Sequence, residues 1–193
     1  MLAHQQGAMV NVADLARNIE VSVTTANRYL DLMVDLLLVR RLKPFSFNIG
    51  KRLVRSPKIY VRDSGIAHAL LNIQDHQALI GHPIVGASWE AFVIENIMAV
   101  CPAEINVYYY RTAQGAELDL VLEISQTERW GLDIKRSSAP TVSKGFHIAC
   151  ADIKATRKFL VYSGTETFSI GNDITLISLT GIMRLLLALH PGD

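Results

Sequence analysis

The sequence predicts a mixed α/β chain in two parts, a small helical module with two strands followed by a larger mixed sheet flanked by helices. Three observations predict it. Two apolar stripes at helical spacing lie between residues 12 and 37. Short strand-like runs recur between residues 106 and 179. Helical stretches at 86–100, 144–153 and 182–189 stand around those runs.

Composition sets the bounds. The chain has 193 residues, 50% of them hydrophobic and 19% charged. That suits one large domain or two small ones with buried cores, and excludes disorder throughout. No stretch is apolar over the eighteen or so residues that a membrane helix requires. The nearest candidate, Leu36-Leu37-Leu38-Val39, runs straight into Arg40 and Arg41. The opening residues lack the basic and apolar regions of a secretory signal. Cys101 and Cys150 form no motif, so the expectation is a cytoplasmic protein with two ordinary buried thiols.

The first module begins at Asn11, a helix cap with Asp14 in the following turn. A short helix then shows Leu15, Ala16 and Ile19 on one face. Ser22 caps a second helix running to about Leu36. Its expected buried stripe is Ala26, Tyr29, Leu30, Met33, Val34 and Leu37, and its leading end turns Thr24, Thr25, Asn27 and Arg28 outward. Strands are expected at Leu38–Pro44 and Lys58–Arg62. A helix-turn-helix followed by two strands is a winged pattern over residues 1–62.

Net charge is only +1, yet Arg40, Arg41, Lys43, Lys51, Arg52, Arg55, Lys58 and Arg62 follow one another without an acid. Such a block suits phosphates. The DNA-contact candidates are Thr24, Thr25, Asn27, Arg28, Arg40, Arg41, Lys51, Arg52 and Arg55. A solvated loop or a protein-contact surface is the rival reading.

Residues 63–85 read as a helical connector. Its histidines, His68, His76 and His82, lack the spacing of a zinc site. The domain expected over 86–193 opens with a helix carrying two glutamates. Glu95 shares its row with Ala91 and Ala99, as at a solvent edge. Glu90 shares its row with Ile94 and Met98, so it lies on an apolar stripe and calls for a partner or a metal. Three strands follow: Asn106–Arg111, then Glu117–Glu123 with clean alternation of leucines and acids, then Trp130–Lys135. Asp133 and Lys135 share a face, and a hairpin would bring Asp119 to them. Two carboxylates and the Ile134 carbonyl offer hard oxygen ligands for Mg²⁺, and Lys135 could steady charge at a reacting phosphate. The rival is an amphipathic hairpin with its charges in water. Gly86-Ala87-Ser88-Trp89-Glu90 lacks the last glycine of a serine-hydrolase elbow. Lys144–Ile153 reads as a crossing helix, with strands at Lys158–Tyr162 and Ile174–Leu179 and a closing helix at Ile182–Leu189.

A helix with an inward glutamate, a strand with aspartate and a strand with Asp-x-Lys, in that order, resembles the PD-(D/E)XK nuclease-like superfamily, whose core is a restriction-endonuclease-like mixed sheet. Longer stretches, among them Asn11–Arg17, Gly50–Lys58, Tyr60–Gly65, His82–Glu90, Tyr110–Asp119, Asp133–Ser137 and Lys144–Phe146, resemble bacterial AAA+-type ATPases that end in a domain of unknown function. The resemblance implies metal-site roles for Glu90, Asp119 and Asp133, with Lys135 beside them, and places Arg111 and Gln114 near the same cleft. The family more often has glutamate where Asp133 stands. The motif G-x-x-x-x-G-K-[ST] is absent here, so ATP would enter only through an upstream domain in cis. Residues 1–7 resemble the interior of a helix, as in a piece of a longer protein. Expected partners are DNA, that ATPase domain and further copies of the chain, with no membrane. Three functions follow: a Mg²⁺-dependent nuclease module, a non-catalytic DNA-binding module, or a protein-interaction and regulatory module of the ATPase.

Overall fold

The computed structural model describes residues 1–46 and 52–189, and it is a mixed α/β structure with two sheets. The chain divides into two compact units, Met1–Lys43 with Ser56–Phe92, and Pro44–Arg55 with Val93–Asp193. Among the described residues, no helix is long and apolar enough to cross a membrane.

In the first unit, α1 (Val12–Asn18) and α2 (Val23–Asp35) start where the capping residues place them. The Asn11 side chain accepts from the Ala13 N–H, and the Ser22 hydroxyl accepts from the Thr25 N–H. Leu15 and Leu30 then meet Val10, Val39 and Ile59 in a small core. The buried stripe of α2 is narrower than its periodicity suggests. Ala26 and Leu30 are buried, whereas Tyr29, Met33 and Leu37 are exposed, beside exposed Leu32 and Leu36. The cause is thickness: this unit has one small sheet and short helices, so only one edge of α2 finds a partner.

That sheet has the order β1 (Ala8–Met9), β3 (Lys58–Val61), β2 (Val39–Leu42), all antiparallel. β1 is absent from the sequence reading. Residues 1–7 are not a helix interior: Leu2–Gln5 form one 3-10 turn, which Gly7 ends at φ +71°. Buried Gln6 extends the sheet with its side chain. Its amide donates to the Val61 carbonyl (2.9 Å) and accepts from the Val61 N–H (2.8 Å). Helices α3 (Ser64–Leu70) and α4 (His76–Gly81) follow, capped by Asp63 and Asp75.

Helix α5 (Val85–Val100) leads into the second unit. Its Ala91 is fully buried, so the row shared with Glu95 is not a solvent edge at that turn. The second sheet has six strands in the order β4 (Asn106–Arg111), β5 (Glu117–Glu123), β6 (Arg129–Lys135), β7 (Arg157–Tyr162), β9 (Ile174–Ser178), β8 (Phe168–Ser169). The β4–β5–β6 part is antiparallel, and β6, β7 and β9 run parallel. Helix α6 (Lys144–Asp152) makes the β6–β7 crossover, and α7 (Leu179–Leu187) follows β9. Phe146, Ala149 and Cys150 of α6 pack on Leu118, Val121 and Leu160 of the sheet. Gly131 permits this approach, since a Cβ there would lie 3.2 Å from Cys150 Sγ.

The alternation read into β5 is broken. Tyr108 faces Val121, but Tyr110 faces Leu118, so β5 holds one residue more than β4 between these pairs. This bulge turns both Leu118 and Val121 toward α6. Asp119 sits inside it.

Candidate functional site

The site grows out of the bulge. β5 and β6 pair through Leu120 opposite Leu132, and the next step would set Asp119 opposite Asp133. The ladder pairing stops there. Instead Asp119 Oδ2 accepts from the Ile134 N–H at 2.8 Å. Asp119, within the bulge, thus uses its side chain where a ladder partner would use its backbone. Asp133 and Lys135 are two apart on β6, and the Lys135 ammonium contacts both carboxylate oxygens of Asp133, at 3.0 and 2.9 Å. Asp119 and Asp133 are 8% and 6% exposed, while the Lys135 side chain is 39% exposed. The result is two buried acids capped by a half-exposed ammonium.

Electrostatics follow from that burial. Desolvation, then the charge of Asp119 and a hydrogen bond with it, push the Asp133 carboxyl up to about 7, against the opposing pull of Lys135. A buried carboxyl raised in this way by its neighbour is a poor arrangement for stability. It suits a site that takes up a cation in place of the Asp133 proton. Hard oxygen donors fit Mg²⁺ or Mn²⁺. Among the described residues, no group of three or more His, Cys, Asp or Glu is placed to hold a metal ion, so an ion here would need backbone carbonyls, water or substrate beside this pair.

Glu90 belongs to the first unit. Its Oε1 accepts from the Tyr60 hydroxyl at 2.6 Å and from the Lys58 ammonium at 3.1 Å. The inward position read from its helical row is correct in that its side chain is only 20% exposed, and its partners there are a buried lysine and a buried tyrosine. Arg111 pairs across the strands with Glu117 at 3.3 Å. Gln114 lines an open cleft together with Arg52.

The basic run is dispersed. Arg41 pairs with Asp31, and Lys58 is buried against Glu90. Arg52 and Arg55 fall in the second unit and are exposed, and Lys51 lies outside the described residues. Arg40 is half-buried. On α2, Thr24 and Arg28 are exposed, Thr25 bonds to the Ser22 hydroxyl, and the Asn27 amide donates to the Val23 carbonyl. Of the connector's histidines, His68 Nε2 and Ser88 Oγ share a 2.7 Å hydrogen bond, and His82 Nδ1 accepts from the Ile84 N–H. Cys150 is buried and its thiol is pushed up to about 12, whereas Cys101 is only partly buried.

Residues 1–77 match a family described as a domain of unknown function (DUF8612), and residues 85–182 match another domain of unknown function (DUF4143). The chain is 46% identical over 177 residues to "Uncharacterized protein Rv2008c" of Mycobacterium tuberculosis and equally to "Uncharacterized protein Mb2031c" of Mycobacterium bovis. Each match takes in 92% of this chain and 40% of the relative, so the chain spans less than half the length of these proteins. No solved structure matches it.

Proposed function

The chain belongs to the DUF4143 family, and from that premise we propose that it is the C-terminal part of a longer AAA+-type ATPase, in which a winged helix-turn-helix and a PD-(D/E)XK nuclease-like domain bind DNA and cleave its backbone with Mg²⁺. The observation that carries the proposal is the buried Asp119–Asp133 pair with Lys135 against it. In this reading Asp119 and Asp133 hold the ion, with the Ile134 carbonyl as a further hard donor. The ion supplies charge neutralisation at phosphorus and an acidified water. The chain's own work is narrower. Burial keeps the two carboxyls short of water, so a cation is a better partner for them than solvent. Lys135, half in solvent and two residues from Asp133, is positioned to stabilise a phosphate oxygen as negative charge grows there. Support for the first unit's part comes from its capped helix pair and the two antiparallel strands, β2 and β3, that follow it.

The test is incubation of the chain with linear and plasmid DNA in Mg²⁺ or Mn²⁺. Cleavage is expected, with a loss of at least about a hundredfold in Asp119→Asn and in Lys135→Met. Cleavage that survives Asp119→Asn removes this site from the reaction.

A second reading, a non-catalytic DNA-binding or regulatory module of the ATPase, is favoured by one observation. The Glu90 carboxylate is already engaged by Lys58 and Tyr60, and among the described residues two acids stand together rather than three. DNA binding without metal-dependent cleavage would select this reading.

A further inference from the structure

The second unit carries an open cleft of about 610 Å³, lined by Arg52, Thr112, Gln114, Gly115, Lys144 and Gly145 among others. Its walls are fixed by backbone. The Ala113 N–H donates to the Arg52 carbonyl at 2.9 Å, and Leu53 bridges to Thr112, so the strand-like segment bearing Arg52 is tied to the β4–β5 turn. The turn is closed on itself. The Thr112 N–H donates to the Ala116 carbonyl (2.9 Å), the Ala116 N–H to the Thr112 hydroxyl (3.1 Å), and the Gly115 N–H to the Thr112 carbonyl (3.1 Å). Gly115 holds φ +88°, a conformation that glycine adopts without strain. Gly145 completes the floor: a Cβ there would stand 3.3 Å from the Gly115 carbonyl oxygen.

Charge in the cleft has one sign. Arg52 and Lys144 line it, and among the described residues no acidic one does and neither side chain, both exposed, makes an ion pair. Gln114 adds an amide. A preformed concavity with two unneutralised cations attracts an anion, and a guanidinium fork beside an ammonium matches phosphate oxygens. Placement adds to this. The 112–116 turn leads into β5 and its bulged Asp119, and Asp133 and Lys135 end β6 at the same end of the sheet.

We infer that this cleft seats one internal phosphate of a DNA backbone, held by Arg52 and Lys144 with Gln114 donating an amide hydrogen, and thereby sets the position of the strand at the acid pair. The assignment rests on the DNA-binding part of the proposed function and not on cleavage.

Fluorescence anisotropy with a labelled short DNA duplex in excess chelator tests it, because binding is then read without metal chemistry. The double variant Arg52→Gln/Lys144→Gln is expected to bind at least about tenfold more weakly, with the salt slope reduced by about one. Arg184→Gln on α7 is expected to bind as the unchanged chain does. Both double-variant positions are exposed, and circular dichroism checks that the variant is folded. Unchanged affinity in the folded double variant overturns this assignment alone. No binding by the unchanged chain overturns the DNA reading and the assignment together. Binding abolished by removing the duplex's terminal phosphates overturns the internal-phosphate ligand in favour of a strand end.

Discussion

Asp133 is a buried acid whose proton is held more tightly in the folded chain than in the unfolded one, with its carboxyl raised from 3.8 to about 7. The stabilisation from holding that proton is complete below about pH 4, where both states are protonated at this position, and is lost as pH rises through about 7. Asp133→Asn removes the charge while keeping the shape. The variant is expected to exceed the unchanged chain in stability near pH 8 by on the order of 1 kcal/mol, with a flatter pH profile, in urea melts at about pH 5 and about pH 8. A variant that is less stable at the higher pH would mean that the acid is not strained by its site. Asp133 and Lys135 were legible in the sequence because a two-residue spacing on one strand sets both side chains on one face, whereas the way Asp119 reaches them depends on a bulge that the sequence does not announce. The partners of Glu90 were not. Lys58 and Tyr60 stand 32 and 30 residues upstream, on a strand whose burial no local pattern announces.

Elements with strong local signals were read closely: both helices of the first unit start at their capping residues, and β4 and β5 keep their expected bounds. What escaped were features set by tertiary context. The β5 bulge is one, since a bulge leaves the apolar alternation of Glu117–Glu123 intact in the sequence while turning Leu118 and Val121 to the same side. The strand pair β1–β3 is the other. Two residues of strand carry no periodicity, and its anchor is a glutamine side chain acting as backbone. Gln6→Ala strips both hydrogen bonds from Val61, whose N–H and carbonyl are then buried without that partner. A loss of roughly 2 kcal/mol is expected in chemical denaturation, and Gln6→Glu, which keeps the acceptor but not the donor, should not restore it. A change within about 0.5 kcal/mol would show that the first strand holds without its anchor.

At the scale of the whole molecule, each unit has its own set of acidic candidates and partners: Glu90 bonds to Lys58 and Tyr60 within the first, and Asp133 to Lys135, with Asp119 on the Ile134 N–H, within the second. Each set explains its own charges. The Lys58 side chain is 5% exposed, and an ammonium that deep is stable only beside an anion. Glu90 supplies the anion, and the Tyr60 hydroxyl shares its oxygen. At Asp133 the balance is the opposite: burial and the charge of Asp119 outweigh the pull of Lys135 and raise its carboxyl to about 7, so an added cation is expected to favour its ionised form. The two therefore respond differently to neutralisation. Glu90→Gln is expected to destabilise the chain by about 2 kcal/mol, since it leaves the Lys58 charge buried without that carboxylate, while Mn²⁺ affinity changes by less than about threefold. Asp119→Asn is expected to do the reverse, lowering Mn²⁺ affinity at least about tenfold with little loss of stability, because it removes the repulsion that raises Asp133. Calorimetric Mn²⁺ titration and thermal melts on the same two variants read both quantities. If Glu90→Gln weakens the metal as much as Asp119→Asn does, the glutamate is a third ligand, and the assignment of Glu90 to Lys58 alone fails.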